Sequence, residues 1–567
     1  MDNKQIIKTL KLTMRLMELH EENPFKIRGY QSAIISIERE GKTLKGLDMF
    51  QLQQLPGIGK GIAEVILEIQ EKDGHALLSQ LLEKTPQGIL EILEIKGLGP
   101  KKIKILWKEL GITSIHELME ACRSGQVAKI KGFGEKTQES IIQNLEFIAS
   151  NQGKWLYADV EIIGNQFINE LRGIFGSDKV APAGDFGRKS EIIDQLVIII
   201  ATDQPIETMK HLAKTSGLEQ DIHNSSPYRW GGKFSDFNLK ITIHLVPSKD
   251  FIKQKLLKTS SNAHLLSKGK ESKTLAEIFY TGSYSSENEA YESAGLPFVP
   301  EDLREGYGEL EWLQSNNLDQ LLTMEDLKGP LHNHSTYSDG RHGLKEMAEF
   351  CQSQGYEYLG MADHSKSAFY ANGLDEDRIR QQHDEIDQLN IEMAPFRIFK
   401  GIESDILIDG NLDYSQDVLA SFDYIVASIH SSLSMDMKKA NARLIRAIQN
   451  PFTTILGHPT GRLLLRRGGY PIDHKLIIDA CAKNNVVIEI NANPWRLDLD
   501  WRWVRYAMDQ GVMLSINPDA HEKEAFSDMK YGVLTGRKGG LTKEMTLNTL
   551  NARDLLHYFN KRKESIK

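Results

Sequence analysis

The sequence predicts a multidomain α and α/β protein: a helical N-terminal region, a mixed α+β centre and a C-terminal α/β barrel. Its 567 residues suffice for three or four ordinary cores at about 100 to 200 residues each. Apolar residues recur at spacings of three and four in Ile6 to Leu19 and Ile62 to Ile69, with Gly-containing turns between, which is a helical pattern. From Leu331 to about Leu541, short apolar runs ending in polar or ligand-type residues alternate with helix-length segments. That alternation implies a parallel sheet, whose closed form is a barrel.

Composition narrows the function classes. A hydrophobic fraction of 40% with 26% charged residues describes a soluble globular chain, and the longest apolar run, Leu196 to Ala201, is too short to cross a bilayer. Met1 to Arg15 lacks the apolar stretch of a secretory signal, so a cytoplasmic location without a membrane partner is expected. Cys122, Cys351 and Cys481 are too few and too scattered for a disulfide framework or a thiolate zinc site. The net charge is -9, whereas residues 1 to 150 are nearly balanced, with 21 Lys and Arg against 20 Asp and Glu. Any contact with nucleic acid must therefore be local rather than carried by bulk positive charge.

Taken in order, residues 1–85 and 86–150 read as two helical regions, the first with one glycine turn and the second with two. Residues 151–322 change character, with a helix from Val160 to Arg172, extended runs at Gln195 to Ala201 and Leu239 to Val246, and a mostly helical stretch to Leu322. Lys328 to Pro330 reads as a linker to the last domain, 328–567. There, strands are expected at Tyr358 to His364, Phe396 to Glu403, Tyr424 to His430, Thr453 to His458, Val486 to Asn491 and Val512 to His521. Barrels of this kind carry their reactive residues at the C-terminal strand ends.

The turns are Leu55-Pro56-Gly57-Ile58-Gly59-Lys60, Lys96-Gly97-Leu98-Gly99-Pro100-Lys101 and Lys131-Gly132-Phe133-Gly134-Glu135-Lys136. Each Gly-x-Gly turn lets consecutive N–H groups and a helix N-terminus face one phosphate oxygen, so Gly57, Gly59, Lys60, Gly97, Gly99, Lys101, Gly132, Gly134 and Lys136 are candidate DNA-binding residues. Taken singly, each turn is more often a glycine-capped hairpin in a helical bundle. Their recurrence favours DNA, and the strings resemble the helix-hairpin-helix motif of DNA repair proteins.

In Leu331-His332-Asn333-His334-Ser335-Thr336-Tyr337-Ser338-Asp339-Gly340, two imidazoles share one side of an extended segment, with a carboxylate five residues on. His364, Glu403, His430, His458, Asp519 and His521 end later strands. A lone strand-end His is more often structural, and Ser338-Asp339-Gly340 alone could be an Asx turn. Together the nine side chains could hold two or three divalent metal ions, bridged by Glu403. Imidazole and carboxylate ligands suit Mn2+, Zn2+ or Fe2+. Clustered cations suit phosphoester hydrolysis, because they acidify water and stabilise the leaving oxygen.

This set resembles the PHP domain (polymerase and histidinol phosphatase), with further similarity in Gly457-His458-Pro459-Thr460-Gly461-Arg462-Leu463-Leu464-Leu465-Arg466-Arg467 and Glu489-Ile490-Asn491-Ala492-Asn493-Pro494. Along essentially the full chain the order resembles bacterial family-X DNA polymerases that carry a C-terminal PHP nuclease. The resemblance implies a fingers-like 86–150, a family-X polymerase-like α+β core with palm and thumb at 151–322, and a distorted (β/α)7 PHP barrel. It also implies a manganese-dependent 3'-5' exonuclease, with 3'-phosphatase or apurinic-site cleavage in some members. Arg462, Arg466 and Arg467 become candidate phosphate contacts, or else solvated surface charge.

The central region departs from that family. Its three magnesium-binding aspartates fall in register on Gln195, Val197 and Thr242, and Asp185 replaces the Ser that would meet the triphosphate. Asp194 is one residue out of register, which on a strand turns it to the other face. Tyr280-Thr281-Gly282-Ser283 resembles the nucleotide-binding string but comes too late, and Lys258-Thr259-Ser260-Ser261 has lost its aromatic and glycine. The family's lyase lysines fall on Val65 and Gly61, which leaves Lys60 to approach a phosphate. Mg2+ at the polymerase site is not expected.

The expected function is a DNA-repair phosphoesterase acting on DNA ends, gaps or abasic sites as a monomer, on a silent polymerase scaffold. The alternatives are a template-dependent, gap-filling DNA polymerase using Asp185 and Asp194, a non-catalytic DNA-binding scaffold, and a small-molecule phosphatase of the histidinol-phosphate kind.

Overall fold

The computed structural model describes residues 3–40, 43–72, 74–95 and 97–564; Lys96, which opens the second turn, lies outside them. The chain forms two compact units, Met1–Gln152 and Gly153–Lys567.

The first unit is helical: α1 (Asn3–Leu19), α2 (Pro24–Glu40), α3 (Met49–Gln53), α4 (Lys60–Lys72), α5 (Ala76–Glu83), α6 (Gln87–Leu93), α7 (Pro100–Leu110), α8 (Ile115–Arg123) and α9 (Gly134–Asn151). Ile6, Leu10, Thr13 and Met17 line one face of α1 and are wholly buried, as their spacing predicts. One apolar core runs without a break from Ile6 to Leu145, across the expected division at 85/86.

The first two glycine turns share one geometry. Gly57 and Gly97 are left-handed, with φ of 73° and 86°. The next residues, Ile58 and Leu98, are buried, and each donates its N–H to a carbonyl three residues back, Leu55 and Ile95, at 3.2 Å. Gly59 and Gly99 then lead into α4 and α7. The third turn starts alike, with Gly132 at φ 94° and Phe133 buried, but Gly134 is also left-handed, at 67°. It therefore lacks the extended residue that opens α7, where Gly99 has φ -75° and ψ 162°. An added Cβ on Gly57 would lie 3.0 Å from the Ser32 carbonyl oxygen, so that glycine is fixed by conformation and by packing on α2.

The second unit begins with the two-stranded pair β1 (Trp155–Leu156) and β3 (Ile192–Ile193) and the helix α10 (Tyr157–Phe175), longer at both ends than its apolar spacing suggested. A five-stranded sheet follows: β2 (Val180–Ala183), β4 (Gln195–Ala201), β5 (Leu218–Gln220), β6 (Arg229–Phe234) and β7 (Lys240–Val246), in the order β2-β4-β7-β6-β5. The β-branched run of β4 lies centrally, parallel to β7 and antiparallel to β2.

Six parallel strands make the second sheet, in sequence order: β8 (Tyr358–Met361), β9 (Arg397–Asp405), β10 (Tyr424–Ser428), β11 (Ile455–Leu456), β12 (Val487–Asn491) and β13 (Leu514–Asn517). Each falls on an expected run, most of them stopping short of the terminal ligand-type residue. Residues 330–334 close the ring as a seventh segment. The Pro330 and Asn333 carbonyls accept the N–H groups of Gly360 and Ala362, and the His334 N–H bonds Ala520 O, each at 2.8 Å. The expected linker Lys328 to Pro330 is therefore part of the barrel. Gly329 must be glycine there, since a Cβ would lie 2.2 Å from the Tyr358 carbonyl oxygen. Asp375, Asp436 and Asp473 cap intervening helices by accepting N–H groups of the first turn.

Tyr424 fills the barrel interior. Its hydroxyl donates to the carbonyls of Leu331 (2.7 Å) and Met361 (3.0 Å), and its ring stacks on Phe559 of the helix Ala552–Glu564. Gly360 and Gly401 make room for it, because added Cβ atoms would sit 2.4 and 2.3 Å from its hydroxyl and ring. The helix Met529–Lys538 ties barrel to central sheet: buried Lys538 donates to the carbonyls of Arg188 (2.9 Å) and Asp302 (3.2 Å) and to Glu305 (2.6 Å), while Arg537 pairs with Asp302.

Gly401→Ala is expected to cost ~1–3 kcal/mol by overpacking against Tyr424, seen by calorimetry as a lowered melting transition of the second unit. Gly57→Ala should cost ~1–2 kcal/mol for its left-handed backbone, whereas Gly59→Ala, which meets no atom within 4 Å, should cost less. Hydrogen exchange at α2 and α4 in the full-length protein separates the two.

Candidate metal centre

The structure brings all nine expected side chains to the C-terminal mouth of the barrel. His332 and His334 come from the closing segment, Asp339 from the loop after it, Glu403 from β9, and His364, His430, His458, Asp519 and His521 from the loops that follow strands. Glu403 is the hub. Its carboxylate oxygens lie 3.3 Å from His332 Nε2, 3.7 Å from His334 Nε2, 2.9 Å from His364 Nδ1, 3.1 Å from His430 Nε2 and 3.0 Å from His458 Nε2. Asp519 approaches His334 at 3.0 Å and His332 at 3.6 Å, and Asp339 approaches His521 at 3.3 Å and His364 at 3.6 Å.

Three overlapping groups have ligand-type atoms within 4.8 Å of one another: His334, Asp339, His364 and His521; His332, His334 and Asp519; and His364, Glu403 and His430. His332 Nε2, His334 Nδ1, His364 Nδ1 and Glu403 Oε2 are buried without a hydrogen-bond partner. Orphaned buried polar atoms cost free energy unless something satisfies them, and imidazole nitrogens beside carboxylate oxygens fit divalent cations. Burial, with His521 and His364, lowers His334 to about 3, the neutral form that donates a lone pair to a metal. Burial opposes ionisation of Glu403, yet His430, His332 and His364 hold it well below the usual carboxylate range. Asp339 and His521 are the partly exposed members and mark the open edge of the centre.

Other side chains fix this arrangement. The wholly buried Glu489 accepts from His332 Nδ1 (2.7 Å) and from the His458 backbone N–H (2.8 Å), while Asp405 accepts from His430 Nδ1 (2.5 Å). Both directions leave Nε2 facing Glu403. Asp363 gathers the N–H and hydroxyl groups of Ser335 and Ser338, which ties down the loop bearing Asp339. Asn491 Nδ2 donates to Asp519 Oδ2 at 3.1 Å. Sequence reading did not assign these supports. The signal for Glu489, an acidic residue between two isoleucines, was present at Val487 to Asn491.

The three arginines differ in fate. Arg462 is occupied by Asp500 and the carbonyls of Arg496 and Leu497, so it braces the loop instead of facing the centre. Arg466 lies over the Trp495 ring at 3.4 Å. Arg467 donates to Gly461 O and keeps a buried Nε without a partner. Sequence reading missed Arg496, whose Nε lies 3.4 Å from Asp519 Oδ2.

In the central sheet, Val197 is paired in register with Thr242, and the Thr242 hydroxyl donates to Gln195 Oε1 at 3.0 Å. A Cβ on left-handed Gly184 would lie 3.1 Å from Val197 Cγ2. Asp185 is paired with Arg188, and Asp194 is exposed in the bend before β4. In the first unit, Lys60, Lys101 and Lys136 are all exposed beside their glycine turns.

Comparison with known proteins agrees with both units. Residues 1–74 match the model of the helix-hairpin-helix domain, and residues 89–146 that of the SAM-like helix-hairpin-helix tandem. The chain is 26% identical over 192 residues to a probable phosphatase of Thermoanaerobacter sp. (strain X514), covering 31% of this chain and 76% of that one. A probable phosphatase of Caldanaerobacter subterraneus subsp. tengcongensis is 34% identical over 147 residues, 23% of this chain and 56% of the other. The DNA polymerase/3'-5' exonuclease PolX of Bacillus subtilis (strain 168) is 37% identical over 569 residues, 98% of each chain. Identity sustained over both full lengths shows that this chain belongs to the PolX family, the bacterial family-X DNA polymerases with a C-terminal PHP domain.

Proposed function

We propose that the barrel is a divalent-metal phosphodiesterase that removes nucleotides from 3' ends of DNA. The observation that carries this is one buried carboxylate, Glu403, within 4 Å of five imidazoles, with unpartnered nitrogen and oxygen atoms between them. His332, His334, Asp339, His364, Glu403, His430, His458, Asp519 and His521 would hold two or three ions, for which Mn2+, Zn2+ and Fe2+ are the candidates. When bound, such ions supply Lewis acidity for water and for the leaving oxygen.

The chain's own residues set the geometry. Glu489 and Asp405 hold His332 and His430 in the tautomer that offers Nε2 inward, and Asp363 holds the Asp339 loop. Arg496, beside Asp519, and Arg467 present guanidinium groups to the phosphate. Water adds to phosphorus and the bond to the 3' oxygen of the shortened strand breaks. That oxygen takes the proton, so the products are a nucleoside 5'-monophosphate and a new 3'-hydroxyl. The glycine turns with Lys60, Lys101 and Lys136 supply DNA contacts through backbone N–H groups and local charge, which explains how an acidic chain can bind an acidic polymer.

We further propose that the nucleotidyl-transfer site is silent. Gln195, Val197 and Thr242 bring an amide, an isopropyl group and a hydroxyl to the place where two magnesium ions require carboxylates. Asp185 is engaged by Arg188 and does not stand in.

His332→Ala/His334→Ala is expected to abolish hydrolysis of 3'-recessed DNA, assayed beside 3'-phosphate and abasic DNA with and without dNTPs. Template-dependent incorporation that persisted in that variant would refute the silent site. Glu489→Gln should weaken metal binding about 10–100-fold through its effect on His332, measured by metal titration of the purified protein.

A further inference from the structure

Two large aromatic side chains stand exposed on the loop that follows the ligand His364. Phe369 is 87% and Tyr370 71% exposed, on the short 3-10 turn Phe369–Ala371 that follows His364. The turn is braced. Ser367 donates its N–H to Asp413 (2.6 Å) and its hydroxyl to Asp405 (2.9 Å), the carboxylate that also holds His430. Gly373 N–H returns to Ala368 O at 3.1 Å, and the carbonyl of Asn372 accepts from Arg378 at 2.8 Å. The Tyr370 ring centroid is 6.3 Å from that of His364.

A folded protein gains nothing by holding two adjacent aromatic rings in water on a rigid turn, and the barrel core has no use for them. Every nucleobase presents a flat face that stacks on such rings without sequence preference. Arg496 also borders the ligands, its Nε 3.4 Å from Asp519 Oδ2 and its side chain 19% exposed, so a guanidinium group is available to a phosphate held there. We infer that Phe369 and Tyr370 form a nucleobase-stacking subsite that receives the terminal base of a DNA 3' end while the scissile phosphate lies at the metal centre.

This inference deepens the phosphodiesterase reading and rests on it. It commits the site to nucleotides, since a sugar-phosphate or amino-alcohol phosphate would leave both rings in water.

The test compares full-length wild type with Phe369→Ala/Tyr370→Ala on two substrates: a single-stranded oligonucleotide with a 3'-hydroxyl, and bis(p-nitrophenyl) phosphate, a phosphodiester without a nucleobase. The variant should lower the ratio of kcat/KM for DNA to kcat/KM for the small diester by about tenfold or more, mainly through KM. Tyr370→Phe, which keeps the ring, should retain the wild-type ratio. An oligonucleotide whose terminal sugar lacks a base should shrink the difference between wild type and the double variant. A ratio within twofold of wild type in the double variant, or loss of the ratio in Tyr370→Phe, would overturn the stacking subsite while leaving the phosphodiesterase intact. Failure of the wild-type protein on both substrates, with manganese, zinc or iron supplied, would overturn both.

Discussion

One carboxylate among five imidazoles is the constraint around which the second unit is organised. Burying an anion is costly unless surrounding groups compensate, and Glu403 lies at the end of a long strand where neighbouring strands can each contribute a histidine. The same requirement explains the supports. Glu489 is buried only because it accepts from His332, the His458 backbone and Asn517. Beneath them, Tyr424 bonds the carbonyl one residue before His332, so the position of the first ligand is set from within the barrel core. Ligand loop, closing segment and core are thus one mechanical system.

Much of this was legible in the sequence because strand ends concentrate chemistry. Six apolar runs were expected, five of them ending in His or Glu, and all six became strands or their immediate extensions. The central strands were equally plain, since an unbroken run such as Gln195 to Ala201 has only one comfortable place, inside a sheet. What escaped depended on contacts between distant residues. Lys328 to Pro330 has the composition of a linker and becomes an edge of the barrel because Gly329 can approach a tyrosine carbonyl. Arg462, in the string that suggested phosphate binding, is consumed by the loop it belongs to, while Arg496 takes the position beside the ligands. Neither is decided within five residues of sequence. Spacing also did not reveal that Gly134 departs from Gly59 and Gly99, because Gly-x-Gly specifies permission for a left-handed backbone rather than its use.

The family assignment and the central sheet stand in an instructive relation. Sequence identity to the Bacillus subtilis protein is maintained along both chains, while the reading proposed above puts Gln195, Val197 and Thr242 at the three nucleotidyl-transfer positions. A sheet is conserved by its apolar pattern and register, whereas a metal site is lost by a few substitutions that the pattern tolerates. Valine at position 197 is a better strand residue than aspartate. On that proposal, loss of the site costs the fold nothing, and the sheet can persist as a platform.

Lys538 gives the seam between sheet and barrel its character. Its ammonium group is almost wholly removed from water and answered by two carbonyls and a carboxylate contributed by the other side. Pulling the two apart would strand a charge, three acceptors and the apolar surface around Trp501 and Tyr531. A nuclease fragment cut out at the linker-like residues would consequently be a different molecule, with a raw flank beside its reactive mouth, and the sheet is better regarded as the barrel's missing wall than as a passenger.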